Sequence, residues 1–324
     1  MLTRNSMLAA AIGLALASGT AQAQVKWDMP TPYPDSNFHT KNIRQFADEI
    51  AKGTGGKLQF TLHPANSLIK HPEIKRAVQT GQVPIAEVLV SLLANEAAVF
   101  AFDSNPFLAS TSEQQKRLWE ASKPHIVKRL EAQGMSLLYS VPWPPSAIHT
   151  KKVINSLADF KGVKLRSYSA ITSRFGELAG SIPVLIAAPE VAQAFKTGMI
   201  DAQINSPAGG VDTQTWDFTT HLYDAQVISP HNMVFVNKAA WAKLDAATQK
   251  LITTAAATAE KRGWEVREQE NAANLKMLES KGIKILKPSA KLTAEFAELG
   301  KKMTAEWAAK AGAEGDAILK AYQK

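Results

Sequence analysis

Apolar and polar residues alternate along this chain with two different periods, and the switches between them mark strands and helices in succession. Val25 to Met29 has the short alternation of a first strand. A Pro-rich turn at Thr31 to Pro34 follows, and Ile43, Phe46, Ala47 and Ile50 then recur at helical spacing, with Ser36 as the expected cap. Gly56 to Val88 predicts a strand, a loop, a helix ending in Thr80-Gly81, and another strand. Two helices are expected next, through Leu118 and Trp119 and through Ile126 to Leu130, before a strand from Met135 to Val141. Asp245 to Ser280 is helical almost throughout, with Leu251, Ile252, Ala255 and Ala259 on one face. About 35 residues at ~1.5 Å each reach on the order of 50 Å, enough to run along two lobes, with Gly263 as a place for a bend.

The succession of strand, loop, helix, Thr-Gly and strand occurs twice. Gly180 to Ile204 repeats it, so that Ala77, Thr80, Gly81 and Val83 match Ala194, Thr197, Gly198 and Ile200 at one constant spacing. Each glycine can close its helix in a left-handed turn before the chain re-enters a strand. Matched copies predict two similar α/β lobes. The chain crosses between them more than once. Trp143-Pro144-Pro145 follows a strand directly, and Asn232 to Asn237 is expected as a strand returning to the first lobe. Residues 24–142 with about 233–262 form the expected first lobe, and 143–232 with about 263–324 the second. Two crossings make a hinge, which permits closure on a ligand.

The stretch from Phe160 to Ser206, which encloses the second copy, holds the most informative chemistry. Val163 and Leu165 predict a strand that ends at Arg166, and Asn205 is the polar tip of another. In open α/β sheets ligands bind beyond the carboxyl ends of strands, where a guanidinium can take a carboxylate through two parallel hydrogen bonds. That is a binder's arrangement. Trp143, at a crossing, offers an aromatic wall, and Tyr33, in a strand-to-helix turn, a hydroxyl. Trp216, His231 and Asn232 are further candidates.

Composition narrows the alternatives. Arg4, the apolar run Met7 to Ala17 and Ala21-Gln22-Ala23 predict a cleaved secretory signal at residues 1–23, hence a periplasmic protein. The run is shorter than the roughly 20 apolar residues of a transmembrane helix, and no later one qualifies. There is no cysteine, so neither disulfides nor thiolate chemistry is available. The net charge is +8, but Lys and Arg are interspersed with acids, and no basic stripe carries the aromatics that nucleic-acid binding needs. Lys52-Gly53-Thr54-Gly55-Gly56-Lys57 leads from helix to strand, the reverse of a phosphate loop. No Gly-x-Ser-x-Gly or His-Glu-x-x-His occurs, and no cofactor is implied. A periplasmic enzyme stays open as a second reading, since catalytic groups can assemble from distant positions.

Several runs together resemble the extracytoplasmic solute-binding proteins of TRAP transporters, the DctP-like family. They are Phe46-Ala47-Asp48-Glu49, His63-Pro64 with Ser67-Leu68, Gln79-Thr80-Gly81, Ile154 to Arg166, and Lys196 to Asp201. The run Asn-Ser-x-x-Asp-x-Lys-Gly-x-Lys-x-Arg is the specific part. The resemblance implies a two-lobed periplasmic binding protein fold of type II-like plan, with a ligand cleft between the lobes and a long helix spanning both. It implies that Arg166 grips a solute carboxylate, that Asn205 helps hold it and that Ser169 lies near it. It also implies delivery of a small organic acid to TRAP membrane subunits. An ABC-type binding protein shares the two-lobe plan. Three departures bear on the solute: Ser146 or its neighbour stands where many members have an arginine, Ile204 where an acidic residue often precedes the asparagine, and Leu89 where sugar-acid binders carry a glutamate. A less polar pocket with one anionic anchor follows. It suits a monocarboxylate, such as a 2-oxo, 2-hydroxy or aromatic acid, better than a sialic or uronic acid.

Overall fold

Two sheet-centred lobes organise residues 24–324, which the computed structural model describes; the expected secretory signal lies outside them. Strand β1 (Val25–Pro30) pairs in parallel with β2 (Leu58–His63), and helix α1 (Phe38–Gly53) joins them, burying Ile43, Phe46, Ala47 and Ile50. Its cap is Asn37 rather than Ser36. The Asn37 side chain accepts from the His39 N–H, while the Ser36 hydroxyl turns to Asp212. Helix α2 (Ile74–Gln79) leads to β3 (Ile85–Leu89). Helix α3 (Ser112–Ala132) is continuous where two helices were expected. Pro124 removes one backbone hydrogen bond, but Leu118, Trp119, Ile126 and Leu130 bury a common face across it.

Strand β4 (Met135–Pro142) belongs to the first lobe and crosses into β5 (Ala147–Thr150) of the second, where β6 (Lys164–Ser167), α4 (Ala170–Leu178) and β7 (Ile182–Leu185) follow. Then come α5 (Val191–Lys196), β8 (Ala202–Asn205), α6 (Pro207–Asp212) and β9 (His221–Tyr223). Strand β10 (His231–Asn237) returns to the first lobe and lies antiparallel between β3 and β4. Helices α7 (Lys238–Trp241) and α8 (Ala246–Ser280), strand β11 (Lys284–Leu286), and helices α9 (Ala290–Ala311) and α10 (Ala313–Tyr322) complete the chain. The second lobe's sheet has the order β11-β9-β5-β8-β6-β7. In the first lobe, β1 lies beside the β3-β10-β4 sheet.

The two crossings hydrogen-bond to each other. Trp143 N–H donates to Pro230 O at 2.7 Å, Ser146 N–H to Ile228 O at 2.7 Å, and Val227 N–H to Ser146 O at 2.9 Å. An antiparallel ribbon therefore links the two sheets. The internal repeat is a structural one as well: Gly81 and Gly198 take φ of 76° and 68°, in the left-handed region. The match also extends upstream, where His71-Pro72-Glu73 and Ala188-Pro189-Glu190 form equivalent 3-10 turns before α2 and α5.

Helix α8 spans both lobes. Ile252, Ala255, Ala256 and Ala259 join the core of α1, β1 and β4, and Leu278 packs with Leu222 and Ile283 of the second lobe. Gly263 does not end the helix; it lets α8 approach β4, since a Cβ there would stand 2.4 Å from Val141 Cγ2. The expected assignment of 263–324 to the second lobe holds for β11 and for Leu292, Phe296, Leu299 and Met303 of α9, and needs correction at both ends. Trp264 still donates to Ser140 O at 3.2 Å, and Trp307 and Ile318 enter the Phe100, Phe102 and Leu118 core of the first lobe. Apolar spacing identifies the buried face of such a helix but not the lobe that covers it. Among the described residues no helix is long and apolar enough to cross a membrane.

Candidate functional site

Strands β6 and β8 run parallel and adjacent, with Arg166 in register with Gln203, so Arg166 and Asn205 emerge at the same carboxyl edge. A cavity of about 460 Å³ opens there between the lobes. Tyr33, His71, Leu89 and Trp143 line it from the first side and the hinge, Arg166 and Asn205 from the second. The two repeated turns form opposing lips, since His71 and Pro72 face the cavity from one lobe and Ala188 and Pro189 from the other.

Arg166 is 3% exposed. Its Nε donates to Ile186 O at 3.0 Å and one terminal nitrogen to Ile204 O at 3.1 Å, which fixes the guanidinium plane. The Tyr168 ring lies 5.2 Å from the guanidinium carbon. Among the described residues no carboxylate pairs with it. Burial pulls it down to about 10, against the opposing pull of the Tyr168 and Tyr33 phenols, so it stays charged at neutral pH. A buried cation without an internal partner calls for an external anion.

Asn205 holds its place through three contacts. Its Oδ1 accepts from Ser206 N–H at 3.0 Å, and its Nδ2 donates to Gln203 Oε1 at 3.2 Å, leaving one amide proton. Gly209 backs it closely: a Cβ there would sit 2.1 Å from Asn205 Oδ1.

Trp143 and Tyr33 meet edge to face, with ring centroids 4.8 Å apart. Trp143 Nε1 donates to Asn232 Oδ1 at 3.0 Å and the Tyr33 hydroxyl to the same atom at 3.3 Å. Asn232 thus acts from behind the wall rather than lining the cavity. Its Nδ2 donates to Glu87 Oε1 at 2.7 Å, and Thr31 donates to the other carboxylate oxygen at 2.5 Å. Burial raises Glu87 to about 7.

Three expected site residues lie elsewhere. Ser169 caps α4, its hydroxyl bonded to Thr172, and does not line the cavity. Trp216 packs with Leu222 and Leu278, and the Lys281 ammonium sits 5.6 Å over its ring. His231 stacks on Trp119 at 5.5 Å, with Nδ1 3.5 Å from Asp103. Successive strand residues face opposite ways, so on β10 Asn232 turns toward the cavity wall and His231 away from it.

His71, Tyr168 and Asp212 escaped sequence reasoning, and Ser146 entered it only as a departure from the family. His71 accepts the Leu89 N–H on Nε2 at 3.1 Å, and burial lowers it to about 3, so the neutral ring carries its proton on Nδ1. Its match to Ala188 in the second copy was the available signal. Tyr168 and Ser146 place their hydroxyls 3.5 Å apart. Asp212 reaches across the cleft, its Oδ2 accepting from Asn37 Nδ2 at 2.6 Å; burial raises its carboxyl to about 6. Among the described residues no group of three or more His, Asp or Glu converges as a metal site requires.

The model of the bacterial extracellular solute-binding protein family 7 matches residues 31–311. Three solved structures share the fold closely. DctP7 of Bordetella pertussis, an extracytoplasmic solute receptor binding pyroglutamic acid, is 43% identical over 93% of this chain and 100% of its own, with a TM-score of 0.91. DctP6 of the same organism, also binding pyroglutamic acid, is 43% identical over 92% and 99%, with a TM-score of 0.91. A marine metagenome TRAP solute-binding protein specific for pyroglutamate is 37% identical over 93% and 99%, again with a TM-score of 0.91. The chain belongs to the bacterial extracellular solute-binding protein family 7 and is a two-lobed solute-binding protein of the TRAP transporter type.

Proposed function

We propose that this protein captures pyroglutamate, a small cyclic monocarboxylate, in the interlobe cleft and delivers it to TRAP membrane subunits from the periplasm, after export by a cleaved signal at residues 1–23. The observation that carries this reading is the buried guanidinium of Arg166, which lacks a protein carboxylate and faces a cavity whose walls include Trp143 and Leu89. One anionic anchor in apolar surroundings suits one carboxylate on a compact ring. The solved relatives that bind pyroglutamate support the choice within the wider class of 2-oxo, 2-hydroxy and aromatic acids.

The solute works as a switch in this proposal. Closing the lobes without a carboxylate buries an unpaired charge, whereas the ion pair with Arg166 makes the closed form favourable. The ribbon formed by Trp143 to Ser146 and Val227 to Pro230 serves as the hinge, and the Asp212 to Asn37 bond holds the far side of the cleft.

A thermal-shift series on the exported protein tests the reading. Millimolar L-pyroglutamate is expected to raise Tm by roughly 5 °C or more, succinate and galacturonate by much less. The solute should be recovered unchanged, as a binder requires. No shift with any monocarboxylate, or a larger one with succinate, would exclude the proposal. Replacing Gly209 with Ala is a sharper probe of Asn205. The new methyl must displace the amide, so calorimetric affinity should fall by about tenfold, one hydrogen bond's worth, with Tm of the ligand-free protein nearly unchanged. Unaltered affinity would remove Asn205 from the site.

A further inference from the structure

We propose that Tyr33 serves in the cleft as a hydrogen-bond acceptor that reads an N–H group on the solute, because Asn232 already takes the phenol's only proton. This rests on the pyroglutamate reading and identifies which atom of the ring Tyr33 selects. The argument begins with Trp143, whose indole nitrogen can only donate. At 3.0 Å it fixes Oδ1 as the Asn232 atom on that side, and the Asn232 amide then presents Nδ2 to Glu87 at 2.7 Å. Tyr33 meets the same Oδ1, a pure acceptor, at 3.3 Å, so its hydroxyl must donate there. Only lone pairs remain to face a solute. Burial raises the phenol well above its usual range, so the group is a neutral hydroxyl. Tyr33 and Arg166 line the same cavity, so a solute held by that arginine shares the space with the phenol.

The surrounding groups sharpen the point. Arg166 offers donors alone, Asn205 keeps one free amide proton, and His71 carries its proton on Nδ1 with Nε2 engaged by Leu89. The Ser146 and Tyr168 hydroxyls can exchange roles and do not discriminate. Asp212 has Oδ2 engaged by Asn37 and Oδ1 by the Ser36 hydroxyl. The site thus presents donors for a carboxylate and a carbonyl, and Tyr33 as an oriented acceptor. A lactam acid carries the complementary set.

Calorimetry with two probes tests this: L-pyroglutamate and 5-oxotetrahydrofuran-2-carboxylate of the same configuration, in which the ring N–H is replaced by oxygen. Wild-type protein is expected to prefer the lactam by about 30-fold or more, since a buried acceptor would face a lone pair in the lactone. Tyr33→Phe should weaken the lactam, spare the lactone, and bring the ratio within roughly threefold. Asn232→Ala keeps the phenol but frees its proton, and should shift the preference toward the lactone even if the Phe variant folds poorly. An unchanged lactam-to-lactone ratio in both variants would overturn this inference alone. Failure of wild-type protein to bind either probe would overturn the pyroglutamate reading and this inference with it.

Discussion

Arg166→Ala is expected to weaken pyroglutamate binding by about 10³-fold or more while leaving the ligand-free protein folded. Two effects set this size. The variant removes the cation that faces the solute carboxylate, and it leaves that carboxylate buried among the donors of Asn205 and His71 without a counter-charge. Truncating one member of a buried, hydrogen-bonded charge pair costs about 2–5 kcal/mol, more than one neutral hydrogen bond. Stability should respond differently. In the protein without solute, Arg166 is a desolvated charge with no acid beside it, pulled down to about 10, so its removal relieves a cost. Its loss also strips the Ile186 and Ile204 carbonyls of donors, which offsets the gain. Tm should therefore move by only a few degrees, as the two terms are each about 1–3 kcal/mol.

Arg166→Lys separates charge from shape. An ammonium keeps the positive charge but cannot hold Ile186 O, Ile204 O and a carboxylate in one plane, so about 10²-fold should still be lost. Calorimetric titration of both variants decides it, with the thermal midpoint of each as control. An Ala variant that binds within tenfold of wild type would show that the carboxylate docks elsewhere.

Features that depend on neighbours in sequence were legible before any coordinates. A short strand carrying Arg166 near its end follows from the Val163 and Leu165 alternation, and the Thr-Gly turns at 81 and 198 from helix termination; both are local chemistry, and the structure has both, the strand running one residue further, to Ser167. Asn205 was reached the same way, as the polar end of a short apolar run. What resisted reading depends on partners far along the chain. Trp143 and Trp216 look alike in sequence, each beside a turn. Trp143 faces the cavity because Asn232, across the hinge, takes its N–H, whereas Trp216 is drawn under Lys281 and Leu278 of the long helix. His231 and Asn232 are both candidates in the sequence, but adjacency in a strand separates them by face. Ser169 shows the reverse error. The family resemblance placed it near the solute, but a serine three residues before Thr172 at a helix start already has a use. Of the last helices, α9 does pack Leu292, Phe296, Leu299 and Met303 into the second lobe, but its end at Trp307 and all of α10 turn to the first, because an amphipathic pattern specifies burial, not which of two cores supplies it.

Glu87→Gln should make stability less dependent on pH, with the largest difference from wild type on the alkaline side. Glu87 is fully enclosed on β3, and burial lifts its carboxyl to about 7 against the hydrogen bonds from Thr31 and Asn232, which favour the ionised form. In the unfolded chain it titrates near 4.5. Between those two values the native protein holds a proton that the unfolded chain releases, so this group's contribution is full below about 4.5 and is lost as pH rises through about 7. A shift of this size corresponds to an upper bound on the order of 3 kcal/mol. Buried His39, His71 and His149 act in the opposite sense, since burial holds all three below their usual range and acid must charge them on unfolding. Wild-type stability alone therefore mixes two slopes, and only the difference between variant and wild type isolates Glu87. Glutamine can accept from Asn232 Nδ2 with its oxygen and donate to the Thr31 hydroxyl with its amide, so the wall behind Tyr33 and Trp143 is kept. Urea unfolding at pH 5 and pH 8 is the measurement. The variant should be more stable by about 2–3 kcal/mol at pH 8 and within about 1 kcal/mol of wild type at pH 5. A difference that stays the same at both pH values would mean that Glu87 is ionised throughout, and that Thr31 and Asn232 outweigh the burial of its charge.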